Sequence, residues 1–289
     1  MESGIRVRAL AANEIDEVAS LWEALFDHHL AVGAAGLATI AREETWPRRR
    51  AHYERLLQQH PDTRFWLALD DAGSRLGYAV AFEEELAGAR AMVLETLGVA
   101  AAARGRGIGS HLMRTVDDAA QDGGIDLGVL DVLGGNTRAR ALYVRCGYEP
   151  YSETWMLSTP PELVAESPPS FADLVQEARR LGLRLTLAAG PDDTWVSADQ
   201  IVDLSRPRAT GLRRVSGPPA AARSPIDLRG LEDLCTTLAE TGLWTIRCEI
   251  SSGSADTALR GLLAQCGFRL STERLLRRGS GLPSAAAHD

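Results

Sequence analysis

Ile5-Arg6-Val7-Arg8 alternates apolar and charged side chains, the two-residue period of a short strand. Ile15, Val18, Leu21, Trp22, Leu25 and Phe26 then recur at three- and four-residue intervals. That period predicts an amphipathic helix over 14–30, with Asn13 as its N-cap. A Gly/Ala-rich loop over 31–45 leads to a second helix, Pro47 to Gln59, with Pro47 in the first turn. Strands are predicted at 65–69, 76–82 and 92–99. Asp70-Asp71-Ala72-Gly73 turns the first into the second, and Glu83-Glu84-Glu85 connects the second to the third. A glycine loop (104–109), a helix (110–121), a strand (126–133), a helix (137–145) and a strand pair near 148–157 follow.

Thr159-Pro160-Pro161 through Ser167-Pro168-Pro169-Ser170 breaks this pattern and reads as a Pro-rich linker. The expected organisation is a first domain over 1–158, a linker over 159–170, a second domain over 171–278 and a disordered tail over 279–289. The second domain is predicted to hold helices at 171–181, 228–241 and 256–265, and strands at 183–188, 244–250 and 271–277. A basic loop at 206–225 carries Arg206, Arg208, Arg213, Arg214 and Arg223. The two halves share a spacing. Cys146-Gly147-Tyr148 precedes Ser152-Glu153, and Cys266-Gly267-Phe268 precedes Thr272-Glu273 at the same interval. The matching order of elements points to a degenerate partial repeat that lacks the glycine loop and the first two helices.

Composition narrows the classes. With 45% hydrophobic and 24% charged residues in 289, the chain is globular. A net charge of -8 excludes a whole-surface binder of nucleic acid or anionic membrane. The acidity is concentrated in 1–158, which hold 16 Arg against 23 acids, while 159–289 hold 15 against 16. Every basic side chain other than histidine is Arg. Four Cys without a C-x-x-C pair form neither a disulfide framework nor a zinc site, and no metal is expected. The absence of a signal-like N-terminus and of any long apolar run makes a cytoplasmic protein the expectation, as a monomer or homodimer.

The chemistry concentrates where Leu94-Glu95-Thr96-Leu97-Gly98-Val99 feeds Arg104-Gly105-Arg106-Gly107-Ile108-Gly109 and then a helix. Backbone N–H groups that converge at a helix N-terminus, with no side chains in the way, form an anion site suited to the phosphates of a nucleotide-like cofactor. The glycines read G-x-G-x-G, not the dinucleotide fingerprint G-x-G-x-x-G, and without Lys there is no Walker loop. Taken alone, the same glycines also suit a tight strand-to-helix turn.

Val132, Asn136, Ala139, Leu142, Tyr143, Gly147 and Tyr148 add the pattern V-x-x-x-N-x-x-A-x-x-L-Y-x-x-x-G-aromatic. With both motifs at this mutual spacing, residues 1–158 resemble the GNAT superfamily of acyl-CoA-dependent N-acetyltransferases. The resemblance implies an α/β fold with a mixed, centrally splayed sheet, and acetyl-CoA as co-substrate. It implies that Arg104, Gly105, Arg106, Gly107, Ile108, Gly109 and Ser110 hold the CoA pyrophosphate. Leu97, Gly98 and Val99 would pair their backbone with the pantetheine arm and offer an N–H to the thioester oxygen. Asn136 would touch the pantetheine, and Tyr143 would protonate the departing thiolate.

Amine attack on a thioester needs a neutral amine, a donor for the developing oxyanion and an acid for the sulfur. Glu95, inside an apolar strand, is the candidate base or water relay. Desolvation there is expected to raise its pKa; the alternatives are an ion pair with an Arg or a contact to substrate. Asp27, His28 and Glu83 are candidate contacts for a cationic acceptor, and a solvated charge run is the plainer reading of them. The expected acceptor is a small-molecule or peptide amine. A non-catalytic acyl-CoA-binding regulator, its site covered by the second domain, is the competing class.

Overall fold

The computed structural model describes residues 4–33, 41–86, 88–157, 184–188, 245–251, 260–261, 264–265 and 269–279. The predicted linker, the helices at 171–181 and 228–241, the basic loop at 206–225 and the tail beyond 279 lie outside these residues.

Strand β1 (Arg6–Leu10) leads through a 3-10 turn (Ala12–Val18) into α1 (Ala19–Val32) and then α2 (Arg42–Gln59). The predicted N-cap Asn13 lies inside the turn, and the cap is Ala11, whose N–H is held by the Glu14 carboxylate at 2.8 Å. Helix α2 begins before its predicted start and carries Pro47 internally; Glu43 and Glu44 occupy its first turn, where negative charge favours a helix start. Strands β2 (Arg64–Leu69), β3 (Arg75–Leu86) and β4 (Ala89–Val99) form an antiparallel meander. The triple glutamate is part of β3, not a connection. Glu83, Glu84 and Glu85 pair with Met92, Ala91 and Arg90, and Arg90 Nη2 lies 2.5 Å from a Glu83 oxygen. Helix α3 (Ile108–Asp122), β5 (Leu127–Leu133), α4 (Thr137–Arg145) and β6 (Glu149–Leu157) follow; the last is one strand where a pair was expected.

Two apolar layers sandwich this sheet. On one face α3 packs Ile108, Leu112, Met113 and Val116 against Ala79, Met92, Leu94 and Leu130. On the other, Trp22, Leu25, Tyr53 and Leu56 of α1 and α2 cover Phe65, Leu67, Tyr78 and Val80.

The described strands of the second half lie in the same sheet as those of the first. Strands β7 (Arg184–Ala188), β8 (Thr245–Ser251) and β9 (Arg269–Arg278) join the same nine-stranded sheet, ordered β1-β2-β3-β4-β5-β9-β6-β8-β7. The last strand is threaded between two strands of the first half. It pairs with β5 from Leu127↔Arg278 to Leu133↔Thr272, and with β6 on its other edge. Leu275, fully buried, enters the core under α3. The two segments that the sequence repeat equates are thus neighbours. Glu153 faces Glu273, and the pairing skips one residue on each strand, Tyr151 and Ser271, which the repeat also equates.

Candidate active site

A single irregularity in β4 opens the site. Val80 faces Thr96 and Ala81 faces Leu94, so Glu95 is an extra residue, a β-bulge. The parallel pairing of β4 with β5 ends at the same point, Leu94↔Leu130. From Glu95 to Val99 the β5-facing edge of β4 has no strand partner, because β5 continues to Leu133 paired only with β9. The two strands splay around a cleft whose far wall is the glycine loop and α4.

The loop is shaped for close approach. Gly105 and Gly107 have φ of 83° and 80°, a left-handed conformation that disfavours any side chain, and Gly107 caps α3 without a side-chain acceptor. A Cβ at Gly107 would enter open space, whereas one at Gly109 would lie 2.9 Å from Leu142 Cδ2. Arg104 Nε donates to the Val99 carbonyl at 3.3 Å and ties the loop to the strand end. The first-turn N–H groups of α3 have no intrahelical acceptor and face a cleft of ≈ 310 Å³ with Arg104, Arg138 and Arg145 on its walls. Orphan amides, guanidinium groups and an apolar strip of Leu97, Val99, Ala139 and Leu142 fit a pyrophosphate joined to a long, partly apolar arm.

On the α1–α2 face, α2 places Arg49, His52 and Tyr53 on one side at three- and four-residue spacing. Arg49 is 1% exposed and grips Glu95 with both nitrogens, Nη1–Oε1 at 3.0 Å and Nη2–Oε2 at 3.3 Å. Its Nη2 also donates to Thr96 Oγ1 at 2.7 Å, and Thr96 Oγ1 bonds the Glu95 carboxylate in turn. The guanidinium lies over the Trp22 ring at 4.0 Å and the Tyr53 ring at 4.8 Å. His52 Nε2 is 3.0 Å from Glu95 Oε1. The expected upward pKa shift of Glu95 is reversed. Burial pushes it up, but Arg49, then His52 and Thr96, outweigh burial and hold it at about 2. Glu95 is therefore a fixed anion that accepts hydrogen bonds only, so His52 Nε2 is the donor in their contact.

From the α3 face Tyr143 reaches the same splay. It is 6% exposed, and its hydroxyl bonds no described residue while lining both the cleft and a smaller cavity of ≈ 30 Å³. Burial, with Tyr148 beside it, pushes the phenol far above its ordinary range, so it stays protonated at neutral pH. The small cavity is walled by Leu25, Leu94, Leu97, Val132 and Leu133, with His29 of α1 on its rim. His29 is 5% exposed and held at about 3, by burial first and then by Arg49 and His28.

These values set a pH dependence of folding. Between pH 6.5 and 3 the unfolded chain binds a proton at residue 29 that the native state does not. Stability is full above pH 6.5 and falls towards pH 3 by up to about 1.4 kcal/mol per pH unit. Glu95 acts lower, its contribution present above pH 4.5 and lost as pH falls to about 2. Urea midpoints at pH 7 and pH 5 should differ less in His29→Phe than in the wild type.

The model of the acetyltransferase (GNAT) family matches residues 26–148, which span the bulge, the glycine loop and α4. Residues 26–148 are a GNAT acetyltransferase domain. As GNAT acetyltransferases use acetyl-CoA, the chain is an acetyl-CoA-dependent acyltransferase. It is 26% identical over 113 residues to the uncharacterized N-acetyltransferase YdgE of Bacillus subtilis (strain 168), covering 38% of this chain and 72% of that protein. Among solved structures it is similar to a GNAT-family acetyltransferase of Staphylococcus aureus Mu50, at 15% identity and TM-score 0.41, over 51% of this chain and 85% of that one. It is also similar to the PaiA N-acetyltransferase of Thermoplasma acidophilum in complex with coenzyme A, at 16% identity and TM-score 0.40, over 51% and 91%.

Within the GNAT domain, all the sequence-predicted cofactor positions line the cleft except Gly98 and Arg106. Gly98 sits in the β3–β4 ladder, where a Cβ would lie 2.6 Å from the Tyr78 ring. Asn136 lines the cleft and also caps α4, its Oδ1 accepting the Ala139 N–H at 3.2 Å. The three predicted acceptor contacts are not brought together. His28 lines the larger cleft, Asp27 pairs with Arg42 at 3.0 Å, and Glu83 pairs with Arg90. Sequence reasoning missed Arg49 and His52. The spacing of Arg49, His52 and Tyr53 on a predicted helix was the available signal for both. Among the described residues no group of His, Cys, Asp and Glu could hold a metal, and no helix is long and apolar enough to cross a membrane.

Proposed function

We propose that this GNAT domain transfers the acetyl group of acetyl-CoA to a primary amine by direct attack in a ternary complex. The observation that carries the reading is the convergence of two proton-handling groups on one splay from opposite faces of the sheet. The Glu95–His52 pair comes from the α1–α2 face and the unclaimed Tyr143 hydroxyl from the α3 face. Bound acetyl-CoA supplies the thioester. Arg104 and the first-turn amides of α3 hold its phosphates, and the unpaired edge of β4 orients its arm. His52 Nδ1 takes the proton the amine loses as its nitrogen bonds the acyl carbon, and Glu95 fixes the ring and stabilises the imidazolium. As the carbon–sulfur bond breaks, Tyr143 gives its proton to the sulfur.

Free-thiol release should require both acetyl-CoA and a primary amine. Tyr143→Phe is expected to lower kcat about 100-fold or more, the lower end for a general acid, with acetyl-CoA affinity within about threefold. His52→Gln should lower kcat similarly, with acetyl-CoA affinity again within about threefold. Equal losses of turnover and affinity in Tyr143→Phe would make it a packing residue.

A further inference from the structure

His29 is a buried polar side chain that the mechanism above leaves unused. Neither of its ring nitrogens bonds a described residue, and Nδ1 is fully enclosed. The ring meets the Trp22 ring edge-on at 6.4 Å and lies tilted to the His28 ring at 6.5 Å between centroids. An unsatisfied buried polar group costs about 1–3 kcal/mol, so a Phe here would serve the fold better. The position is specific. His29 rims the small cavity where β4 and β5 part, together with Leu94, Leu97, Asn136 and Tyr143. On the reading above, the reacting end of the thioester lies beside Tyr143, where the cleft meets this cavity, since Leu97, Asn136 and Tyr143 line both.

We propose that His29 is a catalytic residue whose ring N–H donates a hydrogen bond to the acyl carbonyl oxygen of the thioester as negative charge builds on it. The inference rests on the placement of the thioester given under the proposed function. Burial keeps the ring uncharged at neutral pH, so it offers one donor and one acceptor without introducing a cation beside Arg49. Such a donor, fixed in a dry site before the reaction, acts on the transition state more than on the ground state. No proton is transferred to or from His29 in this step: the amine proton goes to His52 and the sulfur proton comes from Tyr143.

The test compares wild type, His29→Phe and His29→Gln in three measurements. Thiol release should show kcat of His29→Phe reduced about 100- to 1,000-fold, the usual loss of one oxyanion donor, with KM for acetyl-CoA within about threefold. His29→Gln, which restores an N–H, should recover at least tenfold of that loss. Thermal unfolding of the free protein should show His29→Phe as stable as wild type or more so at pH 7, whereas a purely structural histidine would lose stability and rate together. In imidazole ¹⁵N spectra of the wild type, the resonance absent from His29→Phe should shift with acetyl-CoA and not with CoA. A kcat within twofold of wild type in His29→Phe, or identical shifts with the two ligands, overturns the inference while leaving amine-dependent acetyl transfer intact. A wild type that releases no thiol with any amine, yet shows the acetyl-specific shift, overturns the proposed function and leaves His29 as an acyl contact.

Discussion

A chain ended after Leu157 is expected not to fold, although it contains the whole stretch of 26–148 that the family model matches. Truncation removes β9, and with it the entire ladder on the outer edge of β5. It also removes Leu275, whose loss to Ala alone would cost about 2–5 kcal/mol in a packed core, set against a total stability of about 5–15 kcal/mol. Four ion pairs among the described residues go too: Asp131–Arg274 at 2.8 Å, Arg140–Glu273 at 2.7 Å, Asp117–Arg277 at 2.7 Å and Glu153–Arg260 at 2.8 Å. Asp117 would then be left half-buried with its carboxyl already pushed up by desolvation. Far-UV circular dichroism and limited proteolysis of the fragment decide the matter. A protease-resistant fragment that binds acetyl-CoA would show that the first half is an autonomous unit.

The second large effect is at the glycine loop. Gly107→Glu should weaken acetyl-CoA binding at least 100-fold by calorimetry, a change of about 2.7 kcal/mol. Gly107 combines φ of 80° with open space where a Cβ would point, so a side chain there reaches into the cleft and not into the core. Its carboxylate would lie against the α3 N-terminus, satisfying amides meant for phosphate and repelling the phosphate itself. Gly107→Ala separates the two costs. It carries the left-handed backbone strain without the charge, and should lose about 1 kcal/mol of stability while binding within about tenfold. If Ala and Glu weaken binding equally, the loop is only a turn.

How much of this was legible in the sequence depends on how local each cause is. The helices that bound the cleft were readable because their periodicity is a local property, and Gly105 and Gly107 were readable because left-handed turns demand glycine. Tyr143 and Asn136 stand on α4 where their spacing placed them. The bulge at Glu95 was not readable, since it exists only in the register of β4 against β3. The direction of the Glu95 shift was misjudged for a related reason. Burial was inferred correctly, but the compensating guanidinium arrives from Arg49, 46 positions earlier on another element. In sequence His29 is one of two adjacent histidines near the end of the predicted helix over 14–30. What distinguishes the two is their direction, His28 towards the larger cleft and His29 towards the small cavity. The position of β9 was the least legible feature. A strand's own sequence reports that it is a strand, and says little about which edge, well over a hundred residues away, it will join.

The threading of β9 also orders events in time. On the ribosome β5 and β6 emerge first, and the 111 residues from 158 to 268 must be made before the strand that fits between them appears. At about 5–20 residues per second that interval is roughly 6–22 s, far longer than collapse or hairpin formation takes. Throughout it the nascent chain holds two unfilled strand edges, open to pairing with each other or with a neighbouring chain. The edges of β5 and β6 are both satisfied only once β9 has emerged, so this part of the sheet is completed late in the making of the chain.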